Sequence, residues 1–357
     1  MQKSLAVAIG ALALAAPANA APATLERLDR ADASAPGAAV HDVAFAPGTR
    51  RLAATAGATW GGVYTTSRGE TVRISVSDTY VPDEAAAQSW AEFIGGLAHG
   101  PELGDLSVMV APLEEIRVLC GNSMSLGCYD PTVETFYSMG TDDPVSGVSA
   151  EAVARHEYGH HLALNRDNAP FPAYLYGPKF WASAERICYR THVEKTIHPG
   201  DEDEFYDLNP AEGFAESYRV FNERAAAAPE TQWSAVDESF YPDDAALEAI
   251  RRDVFTPWTK ATGHRQLGGR FAKGGRRLVG YRVTTPLDGR LVVRASSAKV
   301  ALQLGLFERG KARPFAVSRV GRSVSIPNTV VCGDGGFDVG VLRVSGYGRY
   351  AVRVSFP

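Results

Sequence analysis

The sequence predicts an α+β domain built on a mixed sheet, followed by an all-β sandwich. Strand and helix patterns alternate through residues 60–263, with helical spacing of apolar residues recurring between the strands. From about Gly268 the helical pattern stops, and Gly-punctuated strands follow one another to the C-terminus. The charge changes sign at the same place. From His264 onward there are 17 Lys and Arg against 4 Asp and Glu, whereas residues 21–263 hold 18 against 37. Opposite charges suggest two domains that attract each other, or a basic domain that meets an anionic cell-surface polymer. The acidic larger part disfavours nucleic acid as a partner.

The N-terminus comes first in the chain and reads as a leader. Residues 1–20 carry Lys3, an apolar run from Leu5 to Ala16 and the small-residue site Ala18-Asn19-Ala20, which together predict a signal peptide. The apolar run is too short for a membrane span, and no later stretch is long enough. A secreted protein, extracellular or periplasmic, is therefore expected, with a mature start near Ala21. Residues 21–59, rich in Ala, Pro, Gly and Thr, read as an extension or propeptide.

Within residues 60–263, TVRISVSDTYV (71–81) alternates like a strand and residues 83–100 follow with helical spacing. LSVMVAP (106–112) and IRVLC (116–120) are further strand candidates, and TVETFYSM (132–139) reads as an edge strand to which an extended peptide could add. Helices are expected over 148–165, 180–193, 209–228 and 243–255. Ser149 is the expected N-cap of the first of these, and Asn209 with Pro210 opens the third. Cysteines in an oxidising compartment are expected to pair, in any of three ways; the short loop between Cys120 and Cys128 favours a local bridge, with Cys188 to Cys332 as the remainder and free buried thiols as the alternative.

Residues 154–165 read ARHEYGHHLALN. His156 and His160 lie four apart, so on a helix their rings project from one face a turn apart, the separation at which two imidazoles can share one Zn²⁺. Glu157 stands beside them as a general base for water. His161 points off that face and reads as a surface or packing residue. Gly159 permits close backbone approach, though a helix can also tolerate it without function. A third ligand is needed. The metzincin continuation is excluded, because Ala163 and Arg166 stand where it requires Gly and His. In NPAEGFAES (209–217), Glu212 and Glu216 share a helix face. Glu212 is the ligand candidate, and Glu216 is placed to hydrogen-bond the outer nitrogen of a ligand histidine. Taken alone, Glu212 could equally complete a capping box with Asn209.

HEYGH followed by AEGFAES resembles the two-helix signature of the gluzincin metallopeptidases, and the second segment resembles the ligand helix of anthrax lethal factor-like peptidases. The likeness spans residues 60–230. It implies a zincin-like catalytic domain acting on protein or peptide substrates, with His156, His160 and Glu212 as zinc ligands, Glu157 as base and Glu216 behind them. It also implies an oxyanion-stabilising tyrosine just before the ligand helix, where Tyr206 stands; His198 and Tyr189 are the alternatives. The spacing between the two helices is longer than in the thermolysin type, and no G-x-M-E-N exopeptidase motif is present, so an endopeptidase is expected. The basic β-domain, with GYGRYAVRV as its final strand, looks somewhat like accessory sandwiches of secreted bacterial peptidases. The turn around Asp334, Gly335, Gly336 and Asp338 does not read as a calcium loop. The rival expectation is a secreted binding or adhesion protein whose metal site is structural or degenerate. An intact Glu157 argues against it, because a closed structural site has no use for a base.

Overall fold

A computed structural model describes residues 57–141, 147–333 and 336–357. The expected signal peptide and the segment 21–56 lie outside these residues, as do Asp334 and Gly335.

The first half opens on strands β1 (Thr59–Thr65) and β2 (Thr71–Ser77), then helix α1 (Glu84–Gly96), strand β3 (Ser107–Ala111), helix α2 (Leu113–Cys120), and strands β4 (Gly127–Asp130) and β5 (Thr135–Met139). Helix α3 (Ala150–Leu164) follows, then the short helices α4 (Ala173–Tyr176), α5 (Lys179–Ala184) and α6 (Ile187–Tyr189), and finally α7 (Pro210–Ala225) and α8 (Asp244–Phe255). The five strands form one sheet in the order β1-β2-β3-β5-β4. It is mixed: β2, β3 and β5 run parallel, while β1 and β4 are antiparallel to their neighbours. Val72, Ile74, Val108, Val110 and Phe136 turn one face of this sheet into a core shared with Ile94, Tyr158, Leu162, Phe214 and Tyr218 from the helices.

Local chemistry explains the helix starts. Asp83 accepts from the backbone N–H groups of Ala85 and Ala86, Ser149 from that of Ala152, Asn209 from that of Ala211 and Asp243 from that of Ala246. Each satisfies donors that the first helical turn leaves unbonded.

Several expectations are corrected. IRVLC is the end of a helix: Ile116, Leu119 and Cys120 are buried while Val118 is exposed, a period of three to four, and left-handed Gly121 closes the turn. TVETFYSM is not an edge. β5 lies between β3 and β4, and β4, which carries Cys128 of the first disulfide, is the outermost strand at that end, with β1 at the other. Both sides of β5 are occupied, so a peptide cannot add there; Gly127, Cys128 and Tyr129 of β4 are also buried. The helix expected over 180–193 breaks at Arg186, which adopts a left-handed conformation, and ends in a π-helical turn at Arg190–Glu194.

The remaining strands are β6 (Gly263–Phe271), β7 (Leu278–Thr284), β8 (Gly289–Ser296), β9 (Ala301–Glu308), β10 (Ala316–Val317), β11 (Ser323–Val331), β12 (Gly336–Ser345) and β13 (Gly348–Phe356). They form two four-stranded sheets, β10-β9-β12-β7 and β11-β8-β13-β6. Leu302, Leu304, Val339 and Val341 from the first sheet and Leu291, Val293, Val352 and Val354 from the second share one core. Every second residue along β8 and β13 points into it, as half-buried strands require. β6 and β11 read only weakly as strands in the sequence. Gly268 and Gly269 weaken the strand pattern of β6, and β11 carries Pro327 and Asn328 at a register shift between Ile326 and Thr329.

Both disulfides form as expected, Cys120–Cys128 and Cys188–Cys332. No helix among the described residues is long and apolar enough to cross a membrane.

Candidate metal centre

Helices α3 and α7 bring the site together. Their backbones approach closely at Gly159, where an added Cβ would stand 2.7 Å from the Cα of Ala215. Tyr158 stacks on Tyr218 beside this contact, ring centroids 5.7 Å apart. One turn from Ala215, Glu212 enters the space in front of the two histidines.

The atoms that meet there are all electron-pair donors. His156 Nε2 is 3.2 Å from Glu212 Oε2, His160 Nε2 is 3.4 Å from the same oxygen, and the two Nε2 atoms are 3.2 Å apart. A tetrahedral zinc site with ligand bonds of about 2.0–2.1 Å places neighbouring ligand atoms roughly 3.3 Å apart. The triangle therefore has the size of one face of such a site. Its chemistry agrees: the carboxylate of Glu216 accepts from His156 Nδ1 at 3.0 Å, which puts the proton of that ring on Nδ1 and turns the Nε2 lone pair toward the triangle. His156, His160 and Glu212 are all buried, and their donor set of two imidazoles and one carboxylate suits zinc.

Behind the triangle runs a chain of buried charge. Arg219 donates to both oxygens of Glu216, Nε to Oε2 at 2.9 Å and Nη2 to Oε1 at 2.7 Å, and its Nη1 donates to Glu223 Oε2 at 2.5 Å. Glu223 in turn accepts from the backbone N–H and the hydroxyl of Thr231. Burial alone would raise the Glu216 carboxyl, but the Arg219 guanidinium and His156 outweigh it and hold it down at about 2. Burial works against the charge of Arg219 too, and the two glutamates hold it protonated. Arg219 was not singled out from sequence; its place three residues after Glu216 on the same helix was the available signal.

Glu157 is buried, and its carboxylate lies against the backbone of Gly127 on β4. A side chain at position 127 would occupy that space, and would also come 2.6 Å from Val153 Cγ1 and 2.9 Å from the carbonyl oxygen of Tyr137. Tyr206 is buried in a short turn before α7, and its hydroxyl donates to Glu212 Oε2 at 2.9 Å. The two alternatives to Tyr206 contact other groups: His198 stacks on Phe205 with centroids 4.1 Å apart, and Tyr189 lies under the Arg186 guanidinium. The carboxylate of Glu212 is directed to the histidines and Tyr206, while Asn209 caps the helix by itself, so the capping-box alternative is not the arrangement adopted.

His161 is fully buried, which corrects the surface alternative. Its Nε2 donates to the carbonyl of Glu102 at 2.8 Å, and the Tyr129 hydroxyl donates to Nδ1 at 2.9 Å. Burial lowers its pKa, so it stays neutral and ties α3 to β4.

No protein-family model and no curated protein matches the chain. Among solved structures, it is similar to the pre-peptidase C-terminal domain of collagenase from Bacillus anthracis, with 14% identity over 26% of this chain and 88% of that one and a TM-score of 0.22. It is also similar to the Yersinia pseudotuberculosis-derived mitogen, at 10% identity over 27% and 88% with a TM-score of 0.22. A third is the Aeromonas hydrophila periplasmic inhibitor of g-type lysozyme, at 13% identity over 28% and 91% with a TM-score of 0.21. Likenesses of this size carry no inference about the site.

Proposed function

We propose that the chain is a secreted zinc-dependent endopeptidase of gluzincin type, with a zincin-like catalytic part and an accessory β-sandwich. The observation that carries this reading is the donor triangle of His156, His160 and Glu212, drawn from two helices and sized for one metal ion. In this reading those three side chains hold Zn²⁺ and Glu216 keeps His156 in the right tautomer. A zinc ion at such a centre supplies Lewis acidity, polarising a carbonyl and easing the deprotonation of water. Glu157 takes a proton from the water as its oxygen bonds to the peptide carbonyl carbon, then passes that proton to the departing nitrogen as the C–N bond breaks. Tyr206 turns its hydroxyl from Glu212 to the oxyanion. Secretion accords with the two disulfides, which persist in oxidising compartments.

The test is zinc content and peptide hydrolysis in the wild-type chain and in Glu157→Gln. About one zinc per chain, retained by the variant while hydrolysis disappears, is the expected outcome. Hydrolysis that survives full metal removal would refute the proposal. Zinc binding without hydrolysis in the wild type would favour the binding or adhesion protein with a structural site.

A further inference from the structure

We propose that the outer face of the sheet β11-β8-β13-β6 binds a linear anionic polysaccharide carrying sulfate or carboxylate groups. The register puts Arg294 of β8 directly opposite Arg353 of β13, and Arg349 of β13 directly opposite Arg270 of β6. Arg290 lies four residues from Arg294 on the same face of β8. All five are exposed, while the alternate residues Leu291, Val293, Val352 and Val354 point into the core. Among the described residues none of the five forms an ion pair, so the acidic half of the chain does not neutralise them.

Like charges directly opposite on neighbouring strands destabilise a sheet. Here two such pairs share β13 four residues apart, and none of the outward positions of the four strands holds Asp or Glu: the neighbours are His264, Gln266, Ser296, Ser325, Ser355, Asn328 and small or apolar residues. The arginines follow a diagonal from Arg270 through Arg349, Arg353 and Arg294 to Arg290. With strands about 4.8 Å apart and residues about 3.3 Å apart along them, this track is roughly 30 Å long. A narrow track of that length suits a chain-like anion. Guanidinium groups bind planar or tetrahedral oxyanions in pairs of hydrogen bonds, and Ser325 and Gln266, in one row with Arg294 and Arg353, add donors for hydroxyls. No Phe, Tyr or Trp faces outward to stack on bases, as single-stranded nucleic acid sites require, and the apolar side chains on this face are small, with Val330 opposite Arg290 the most exposed, so it offers no aromatic or long aliphatic wedge for a bilayer.

The test uses the mature full-length chain and heparin as probe, with neutral dextran as a control. Wild type should bind heparin at physiological salt and not dextran. Arg294→Ala with Arg353→Ala should weaken heparin binding about tenfold and lower the slope of log affinity against log salt by about two. The thermal midpoint of this variant should stay level or rise, because a like-charge pair is removed. A charge-matched variant in the β9–β10 connection beside the other sheet, Arg309→Ala with Arg313→Ala, should lose less than about twofold. Equal losses in the two variants would reduce the effect to net charge and overturn the proposal. So would dextran binding, absence of heparin binding, or tighter binding of phosphatidylserine vesicles or duplex DNA than of heparin.

Discussion

Gly127 shows how one residue position constrains the chemistry proposed for another. It sits on the outermost strand with the Glu157 carboxylate against its backbone, and the space that a side chain would need is already filled by Glu157, Val153 and the Tyr137 carbonyl. Gly127→Ala should therefore turn Glu157 away while leaving the metal ligands in place. The expected result is a fall in kcat of roughly 100-fold with zinc content unchanged, since a misplacement of about 1 Å at a reacting group costs that much. Steady-state kinetics with metal analysis on the same preparation checks it; an unchanged kcat would remove Glu157 from the role of base. His156, Glu157, His160, Glu212 and Glu216 were legible in the sequence, because helical periodicity alone puts the histidines on one face and the two glutamates on another. Gly127 was not, since its neighbour Glu157 is thirty residues away and only the sheet brings them together.

At the scale of elements, the contact between α3 and α7 decides whether a third ligand exists at all. Gly159 permits it, and an alanine there would press on the backbone of Ala215. Gly159→Ala should cost about 1–3 kcal/mol of stability in metal-free protein by overpacking and weaken zinc binding, read by urea unfolding and by competition with a chelator. Unaltered zinc affinity would show that the helix separation does not set the site. Arg219 lies on the same helix and neutralises two buried carboxylates. Arg219→Met leaves both without their partner and should destabilise the fold by about 3–5 kcal/mol; Arg219→Lys should recover little of this, since a lysine lacks the fork that reaches both oxygens of Glu216. Denaturant midpoints distinguish the two variants. The fate of IRVLC belongs to this scale as well. Its short apolar run suits strand and helix alike, and burial of Ile116, Leu119 and Cys120 on one side decided for the helix.

At the scale of the molecule, the junction between the helical half and the β-sandwich combines polar and covalent links with an apolar contact of Leu287 on the helical core. Lys179 of α5 is fully buried there, donating to the carbonyls of Ala169 and Asp288 at 2.8 Å each, and the Asp288 N–H donates to the Ser183 hydroxyl. Cys188–Cys332 closes the same junction across a separation of 144 residues. Replacing both cysteines by serine should cost about 2–4 kcal/mol, because the unfolded chain regains the freedom that a long closed loop removes; thermal unfolding of the variant measures it. Lys179 gives the junction a pH dependence. Burial lowers its pKa from 10.5 to about 8. Between those values the unfolded chain holds more protons than the folded one, so stability from this group rises as pH rises through that window and is lowest below it. The stability difference between wild type and Lys179→Met, measured by urea unfolding at pH 7.5 and pH 10, should shift toward the wild type at the higher pH. No shift would mean that the amine keeps its ordinary pKa.

The sequence by itself determined the helix-borne metal candidates and the change from mixed α+β to all-β structure, because each depends on local periodicity and cap chemistry, and it favoured the local bridge Cys120–Cys128, whereas the fold settled the bridge from Cys188 to Cys332. Tertiary structure alone decided which strand is outermost, which backbone lies against Glu157, that Arg219 stands behind Glu216, and that Arg294 faces Arg353. Those relations are set by strand order, register and helix crossing, which arise from packing between segments far apart in the chain.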